Sequence, residues 1–192
     1  MLKHGWVLAG LQASLAVGLA GSAQARDGFF IGLGLGAAEG NFSVDGADEG
    51  DLGTYFDVNL GHAWKNGFGL GGGLSVNGYA YEVQLFGEPV ADLELTFTTL
   101  DLSAWYFIPV ADSFEVTLRA GISSTMATTR LGTFEDSDES AGFHLGVGGD
   151  VFLGESFALQ AEIFHRSYGV AFASTDDKEV SATGLQLGVR WR

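Results

Sequence analysis

Eight segments of this chain place an apolar residue at every second position, and the connections between them alternate in length. The segments are 29–38, 54–64, 68–79, 93–107, 114–126, 142–152, 157–168 and 181–191. The three short connections are 65–67, 108–113 and 153–156. The four longer ones are 39–53, 80–92, 127–141 and 169–180. A period of two is typical of β-strands with one apolar face. Eight such strands predict an all-β, antiparallel, up-and-down barrel.

The first 25 residues have the pattern of a secretory signal peptide. Lys3 supplies the positive charge, an apolar stretch follows, and the small residues Ala23 and Ala25 mark a cleavage site. We expect cleavage after Ala25 and a mature barrel domain over 26–192. Beyond residue 27 no apolar run approaches the roughly 20 residues that a membrane-spanning helix requires. The chain is therefore predicted to be exported and to cross the bacterial outer membrane with its strands.

The two faces of the predicted strands differ in chemistry. One face is apolar, with residues such as Ile31, Leu60 and Leu187, whereas the other carries glycines and charges. The charged positions are Asp57, Asp101, Glu115, Arg119, Asp150, Glu162, Arg166 and Arg190. In an outer-membrane barrel the apolar face meets lipid, and short turns face the periplasm. A soluble, lipocalin-like barrel would reverse the faces. Glycines suit the crowded interior of a small barrel, which favours the transmembrane alternative.

The charged inner face allows two interpretations of the lumen. Glu115 and Arg119 lie four residues apart on one strand, and Glu162 and Arg166 repeat that arrangement. Switchable salt bridges would line a gated pore for small solutes. Paired charges that satisfy one another would instead form a polar plug. Eight strands leave an interior just wide enough for side chains, which favours the plug.

Four motifs carry a resemblance to a known family. They are DGFFIGLGLG (27–36), NLGHAWKNGFGLGGGL (59–74), LQAEIFHRSYG (159–169) and GLQLGVRW (184–191). With these motifs the chain resembles the small eight-stranded outer-membrane barrels of the OmpA/OmpX type. The resemblance implies a transmembrane barrel surrounded by outer-membrane lipids and lipopolysaccharide. It also implies that the barrel assembly machinery inserts the protein.

A second, local resemblance concerns residues 165–179. His165 and Ser167 lie two apart on one strand, and Glu179 follows across the last long connection. This pattern is similar to that of outer-membrane lipid A 3-O-deacylases. The resemblance implies a nucleophile at Ser167, a base at His165 and an orienting acid at Glu179. In such a site the histidine takes the serine proton and the carboxylate fixes its tautomer.

The formal net charge of −15 concentrates in the long connections. Their acidic residues are Glu39, Asp45, Asp48, Glu49, Asp51, Glu135, Asp136, Asp138, Glu139, Asp176, Asp177 and Glu179. Solvated loop tips, divalent ions that bridge to lipopolysaccharide phosphates, and an extracellular ligand are all compatible with this pattern. The charge argues against nucleic acid. Cysteine is absent, and the sequence contains no cofactor or metal motif. We therefore predict no cofactor and no bound metal.

Two smaller features complete the sequence prediction. Thr98-Thr99 interrupts the alternation of its segment, which predicts a β-bulge. Aromatic residues at segment ends predict membrane-interface girdles, with Trp64, Tyr106 and Trp191 at the periplasmic rim and Tyr168 at the other. The sequence thus favours a structural or surface-interaction role without catalysis. A lipid A deacylase and a narrow channel are the alternatives.

Overall fold

The computed structural model describes residues 26–41, 52–85, 88–168 and 180–192. The strands are β1 (Gly28–Asn41), β2 (Leu52–Ala63), β3 (Phe68–Leu85), β4 (Glu88–Ala111), β5 (Phe114–Leu131), β6 (Phe134–Phe152), β7 (Phe157–Tyr168) and β8 (Val180–Trp191). Each strand pairs antiparallel with its neighbour in sequence, and β1 pairs with β8, so the sheet closes into a barrel. The predicted fold of eight up-and-down strands is confirmed. The predicted signal peptide, 1–25, lies outside the described residues.

Tight turns join the strands at one end of the barrel. Gly67 has φ +83° in the β2–β3 turn, a left-handed conformation that glycine reaches without the steric cost of a Cβ. Its N–H donates to the Trp64 carbonyl at 2.9 Å, and its own carbonyl accepts from the Phe107 N–H at 2.7 Å. The turn is therefore fastened to β4 as well as to its own hairpin.

Two of the long connections are shorter than the alternation indicated. β5 and β6 continue as a paired hairpin to Leu131 and Phe134, within the predicted loop 127–141. β3 and β4 pair out to Leu85 and Glu88. Residues 131–139 are exposed throughout. Because both faces of such an extension meet water, no apolar alternation marks it in the sequence.

The predicted bulge at Thr98-Thr99 is wrong. β4 pairs with β5 in continuous register through both residues, and the irregularity of this pair lies next to Pro109 instead. The interruption has another cause. Leu95 and Phe97 point inward as Thr99 does, so the inner face itself changes from apolar to polar along one unbroken strand.

Outward side chains form an apolar band around the barrel. On β4 the exposed positions run from Leu100 to Val110. Ten residue steps of about 3.3 Å, on a strand tilted by about 40°, give a height of about 25 Å, which is that of an outer-membrane barrel. A soluble barrel would bury this face, so the lipocalin-like alternative is wrong. In the described part of the chain no helix is long and apolar enough to span a membrane.

Candidate functional site: a charged lumen below an aromatic layer

Buried inward side chains lie in three zones of the lumen. The upper aromatic layer, at the end of the long connections, comprises Tyr55, Tyr79, Phe97, Phe164 and Tyr168. The middle charge cluster comprises Asp57, Asp101, Arg119, Glu162 and Arg166. The floor cluster, beside the short turns, comprises Glu115, Asp150, Arg190 and Arg192. Every side chain of the two charge clusters is nearly inaccessible to solvent.

Ring contacts hold the upper aromatic layer together. The Phe97 and Tyr168 rings stack with centroids 4.7 Å apart, and those of Tyr55 and Phe164 lie 4.2 Å apart. Asn77 Nδ2 donates to the Tyr79 hydroxyl at 2.8 Å. The assignment of Tyr168 to a membrane-interface girdle is wrong, since its side chain is only 1% exposed. Its position is in phase with Phe164, so the ring enters the lumen.

Arg119 is the centre of the middle charge cluster. Its Nη2 donates to both carboxylate oxygens of Asp101, at 3.0 and 3.1 Å. Its Nη1 donates to Asp57 Oδ2 at 3.4 Å, and its Nε to Ser103 Oγ at 3.3 Å. One guanidinium on β5 therefore binds groups on β2 and β4 at once, a use of several fixed donors that suits arginine.

Arg166 occupies the upper edge of the same cluster. Its Nη2 donates to the Tyr55 hydroxyl at 2.9 Å and to Asp101 Oδ2 at 3.4 Å. The Tyr55 hydroxyl donates in turn to Asp57 Oδ1 at 3.3 Å. Asn59 Nδ2 donates to the other oxygen of Asp57 at 2.7 Å. The charges of the middle cluster are therefore tied to the aromatic layer above it.

A buried serine–histidine contact, which the sequence reasoning missed, borders the cluster. Ser103 Oγ donates to Asp101 Oδ1 at 2.6 Å and lies 3.0 Å from His144 Nε2. The hydroxyl has one hydrogen, so the imidazole must donate through Nε2, an assignment made from the hydrogen-bond geometry. In the sequence, the alternation of their segments places Ser103 and His144 on the inner face, and this is the signal that could have predicted their burial in the lumen. Both residues are buried in the lumen wall.

Glu162 has fewer partners than the other acids of the middle cluster. Gln160 Nε2 donates to its Oε2 at 3.2 Å, and Arg119 Nη1 lies 3.9 Å from its Oε1. A Cβ at Gly146 would lie 2.5 Å from that oxygen. The glycine on β6 thus provides the space that the glutamate side chain occupies.

The floor cluster places its two arginines against phenyl rings. Arg190 Nη1 pairs with Asp150 Oδ2, and Arg192 Nη2 lies 2.7 Å from Glu115 Oε1. The Arg192 guanidinium carbon lies 3.8 Å from the centroid of the Phe107 ring, and that of Arg190 lies 5.3 Å from the same centroid. Cation–π attraction therefore adds to the ion pairs.

The same-strand arrangement that suggested Glu115–Arg119 and Glu162–Arg166 pairs does not describe the contacts. Glu115 contacts Arg192, which directly follows β8, and Arg119 contacts Asp57 on β2 and Asp101 on β4. Residues four apart on a strand are separated by about 13 Å, which exceeds the reach of a direct ion pair. In the narrow lumen, side chains from different strands instead contact one another.

Arg26 ties the short turns together below the floor cluster. Its guanidinium donates to the carbonyl oxygens of Asp112, at 3.0 Å, and of Glu155, and it lies 3.8 Å from the centroid of the Phe152 ring. The Arg192 N–H donates to the Ser156 carbonyl at 2.8 Å. Both ends of the described barrel are therefore fixed to the same turn.

Two of the candidate hydrolase residues, His165 and Ser167, lie on the outward face of β7 and not in the lumen. His165 Nδ1 lies 2.9 Å from Thr183 Oγ1, at the nitrogen where a catalytic triad would have its carboxylate. Ser167 follows in the outward phase but is only 5% exposed. Glu179 lies outside the described residues. The deacylase assignment stays a prediction.

The acidic residues divide between described and undescribed segments. Glu135 and its acidic neighbours on β6 are exposed on the hairpin extension. Arg130 bridges Glu135 at 2.7 Å and Glu94 at 3.8 Å, and the hydrogen bond with Glu135 raises the pKa of Arg130. The acidic residues of 42–51 and 169–179 lie outside the described part. Among the described residues no group of three or more His, Asp or Glu side chains is placed to hold a metal ion.

One family model and several solved structures match this barrel. The model of the outer membrane protein beta-barrel domain matches residues 9–192. Neisserial surface protein A aligns with a TM-score of 0.64 at 19% identity, over 85% of this chain and 96% of that one. Ail of Yersinia pestis, in complex with the heparin analogue sucrose octasulfate, aligns with a TM-score of 0.57 at 12% identity, over 87% and 99%. OprG from Pseudomonas aeruginosa gives 0.55 at 17% identity, over 86% and 96%. No curated protein matches the chain.

Proposed function

Since the chain belongs to the outer membrane protein beta-barrel family and resides in the bacterial outer membrane, we propose that it is a plugged barrel that presents an extracellular surface. The observation that carries this proposal is the filling of the lumen. Buried side chains of the upper aromatic layer, the middle charge cluster and the floor cluster occupy it at three successive levels. An eight-stranded barrel has little width to spare once such side chains are in place.

The extended hairpin supports a role in surface interaction. β5 and β6 form a paired projection with Phe134 65% exposed at its tip and acidic residues along its length. Ail and Neisserial surface protein A are named as attachment and surface proteins, which agrees with such a role. The acidic projection suits a cationic partner and not a sulfated one like the ligand of Ail.

The surroundings of the barrel follow from its location. Outer-membrane lipids and lipopolysaccharide would contact the apolar band and the polar residues above it. In a membrane, strands satisfy their backbone hydrogen bonds only as a closed barrel. Insertion would therefore depend on the barrel assembly machinery. Envelope integrity is a further contribution that a stable, closed barrel would make.

Planar-bilayer conductance tests the plug. Protein that shows the heat-modifiable gel migration of a folded barrel should produce no conductance steps, because three layers of buried side chains lie in the path. A porin added to the same membrane provides the positive control. Steps of constant size from the protein itself would instead establish the channel alternative.

Adhesion of cells tests the surface role. Cells that express the native protein should bind a cationic surface more strongly than cells that express a variant with Glu135, Asp136, Asp138 and Glu139 changed to their amides. Equal surface expression of both proteins is the necessary control. Equal adhesion would remove the hairpin from the proposal.

A further inference from the structure

The two charge clusters of the lumen differ in their charge balance. The floor cluster holds two guanidinium groups and two carboxylates. The middle charge cluster holds two guanidinium groups and three carboxylates. A buried charge without a partner costs several kcal/mol even after the protein relaxes. The middle cluster therefore requires one additional positive charge, and a proton on one of its members would supply it.

His144 does not carry this proton. Its Nε2–H already donates to Ser103 Oγ, and its Nδ1 has no hydrogen-bond partner among the described residues. In the neutral ring Nδ1 is an unfilled acceptor. In the charged ring it would be an unfilled donor with a buried positive charge, close to two guanidinium groups. The neutral tautomer is the less costly state.

Asp101 and Asp57 are held as carboxylates by the donors around them. Asp101 accepts hydrogen bonds from Ser103, Arg119 and Arg166. Asp57 accepts from Tyr55, Asn59 and Arg119. Hydrogen bonds donated to a carboxylate favour its charged form, so neither acid is suited to hold a proton.

Glu162 is the remaining acid, and its closest ion pair is the longest of the three. Its one hydrogen bond comes from neutral Gln160, and the nearest guanidinium nitrogen is 3.9 Å away. Its side chain extends towards β6, where Oε1 lies 2.5 Å from the position that a Cβ of Gly146 would take. Gln186, its opposite residue on β8, extends the other way, with its Oε1 beside Gly34 on β1. The charge of Glu162 therefore receives no donor from β8.

We propose that the lumen contains a proton-binding site at Glu162, whose carboxyl group is neutral in the folded barrel. The charge count and the weak pairing of Glu162 are separate observations, and a single proton accounts for both. The charged and titratable groups that face the site are Arg119 from β5, Asp57 and Tyr55 from β2, Asp101 from β4, His144 from β6, Arg190 from β8, and Arg166 on β7 itself. The site does not depend on the role assigned to the extracellular surface.

Infrared spectroscopy of the folded barrel at neutral pH tests the proposal. A carboxyl group that carries a proton has a C=O stretch distinct from the carboxylate bands. We expect this band in the native protein and its loss in Glu162→Gln. Glu139→Gln, which changes an exposed acid on β6, is the matched control and should retain the band.

Unfolding by urea in lipid vesicles provides a second measurement. Gln is close in shape to a protonated Glu, so Glu162→Gln should unfold at the native urea concentration, whereas Asp101→Asn should unfold at a lower one. A native barrel without the band would overturn the proposal, as would a band that survives in Glu162→Gln. So would a Glu162→Gln barrel as destabilised as Asp101→Asn. If the band is absent and stability rises specifically with sodium ions, the missing charge is a metal cation.

Discussion

The middle charge cluster and the floor cluster contain the same residue types but stabilise them differently. In the middle, Arg119 binds two carboxylates and a hydroxyl, so both aspartates share one guanidinium. In the floor, each arginine has one carboxylate and lies near the Phe107 ring. The middle cluster is therefore a shared network, whereas the floor consists of separable pairs in apolar surroundings.

This difference shows how a small barrel can fill its interior with charge. A network gains from cooperative hydrogen bonds but fails when its central member is removed. Separate pairs beside aromatic rings can be exchanged for apolar residues of similar volume, because their surroundings already suit such residues. Substitutions in the two clusters should consequently have unequal effects.

The largest effect is expected at the centre of the network. Arg119→Met leaves Asp57 and Asp101 buried with fewer donors, so we expect the free energy of unfolding to fall by about 3–5 kcal/mol. Urea titration of the barrel in lipid vesicles measures this change. Arg119→Lys is the matched variant and should lose less, since it retains the charge but cannot bind both acids with a planar group. An unchanged midpoint for Arg119→Met would show that the network does not stabilise the fold.

A smaller effect is expected in the floor. Arg192→Met alone should cost about 1–3 kcal/mol, because it leaves Glu115 buried without its nearest partner. The double variant Glu115→Leu, Arg192→Met should recover most of that loss, since both charges are replaced together. The same urea titration applies.

The corresponding double change in the middle sharpens the contrast. Arg119→Met with Asp101→Leu should stay destabilised, because Asp57 still lacks the hydrogen bond from Arg119 and keeps only the longer contact with Arg166, at 3.8 Å. Equal recovery in both clusters would mean that the middle is also a set of separable pairs.

Outside the lumen, the Arg130 ion pairs should contribute nothing measurable. Arg130 is exposed, and water screens its contacts with Glu94 and Glu135. Arg130→Ala should unfold at the native urea concentration. A clear decrease would show that the hairpin extension, and not the lumen alone, sets the stability of the barrel.

The smallest effect is expected for Ser167→Ala. We expect identical mass spectra of lipid A from cells that express the native protein and from cells that express this variant. The proposed role requires no catalysis. Both proteins must first be shown to be folded in the outer membrane. Loss of one acyl chain with the native protein only would establish the deacylase alternative and place its site on the outer wall.

The strand count, closure and direction of the fold could be predicted from the sequence because lipid imposes a strict period of two. The same pattern fails where lipid is absent. The extensions of β5 and β6 meet water on both faces, so nothing in their alternation distinguishes strand from loop. The wrong bulge prediction at Thr98-Thr99 has a related reason. Leu95 and Phe97 belong to an apolar layer in the lumen, which interrupts an otherwise polar inner face.

The sequence predicts which residues face the lumen better than it predicts which of them contact each other. Alternation indicates that Glu115 and Arg119 both face inward, but the partner of each depends on strand tilt and register across the barrel. Arg192 lies beyond the last alternating segment, 181–191, although its position continues the inward phase of Arg190. The contact between Ser103 and His144 likewise arises from two strands that are distant in sequence.

The paired extension of β5 and β6 has a consequence for the antibodies that could recognise the folded protein. From Met126, the last large apolar residue in the outward phase of β5, to Leu131 the strand continues for about 17 Å, held in register by its neighbour. Antibodies raised against the folded protein would bind residues that adjoin only across the hairpin. Such antibodies should fail on denatured blots, and linear peptides from 127–141 should be poor immunogens for the native surface.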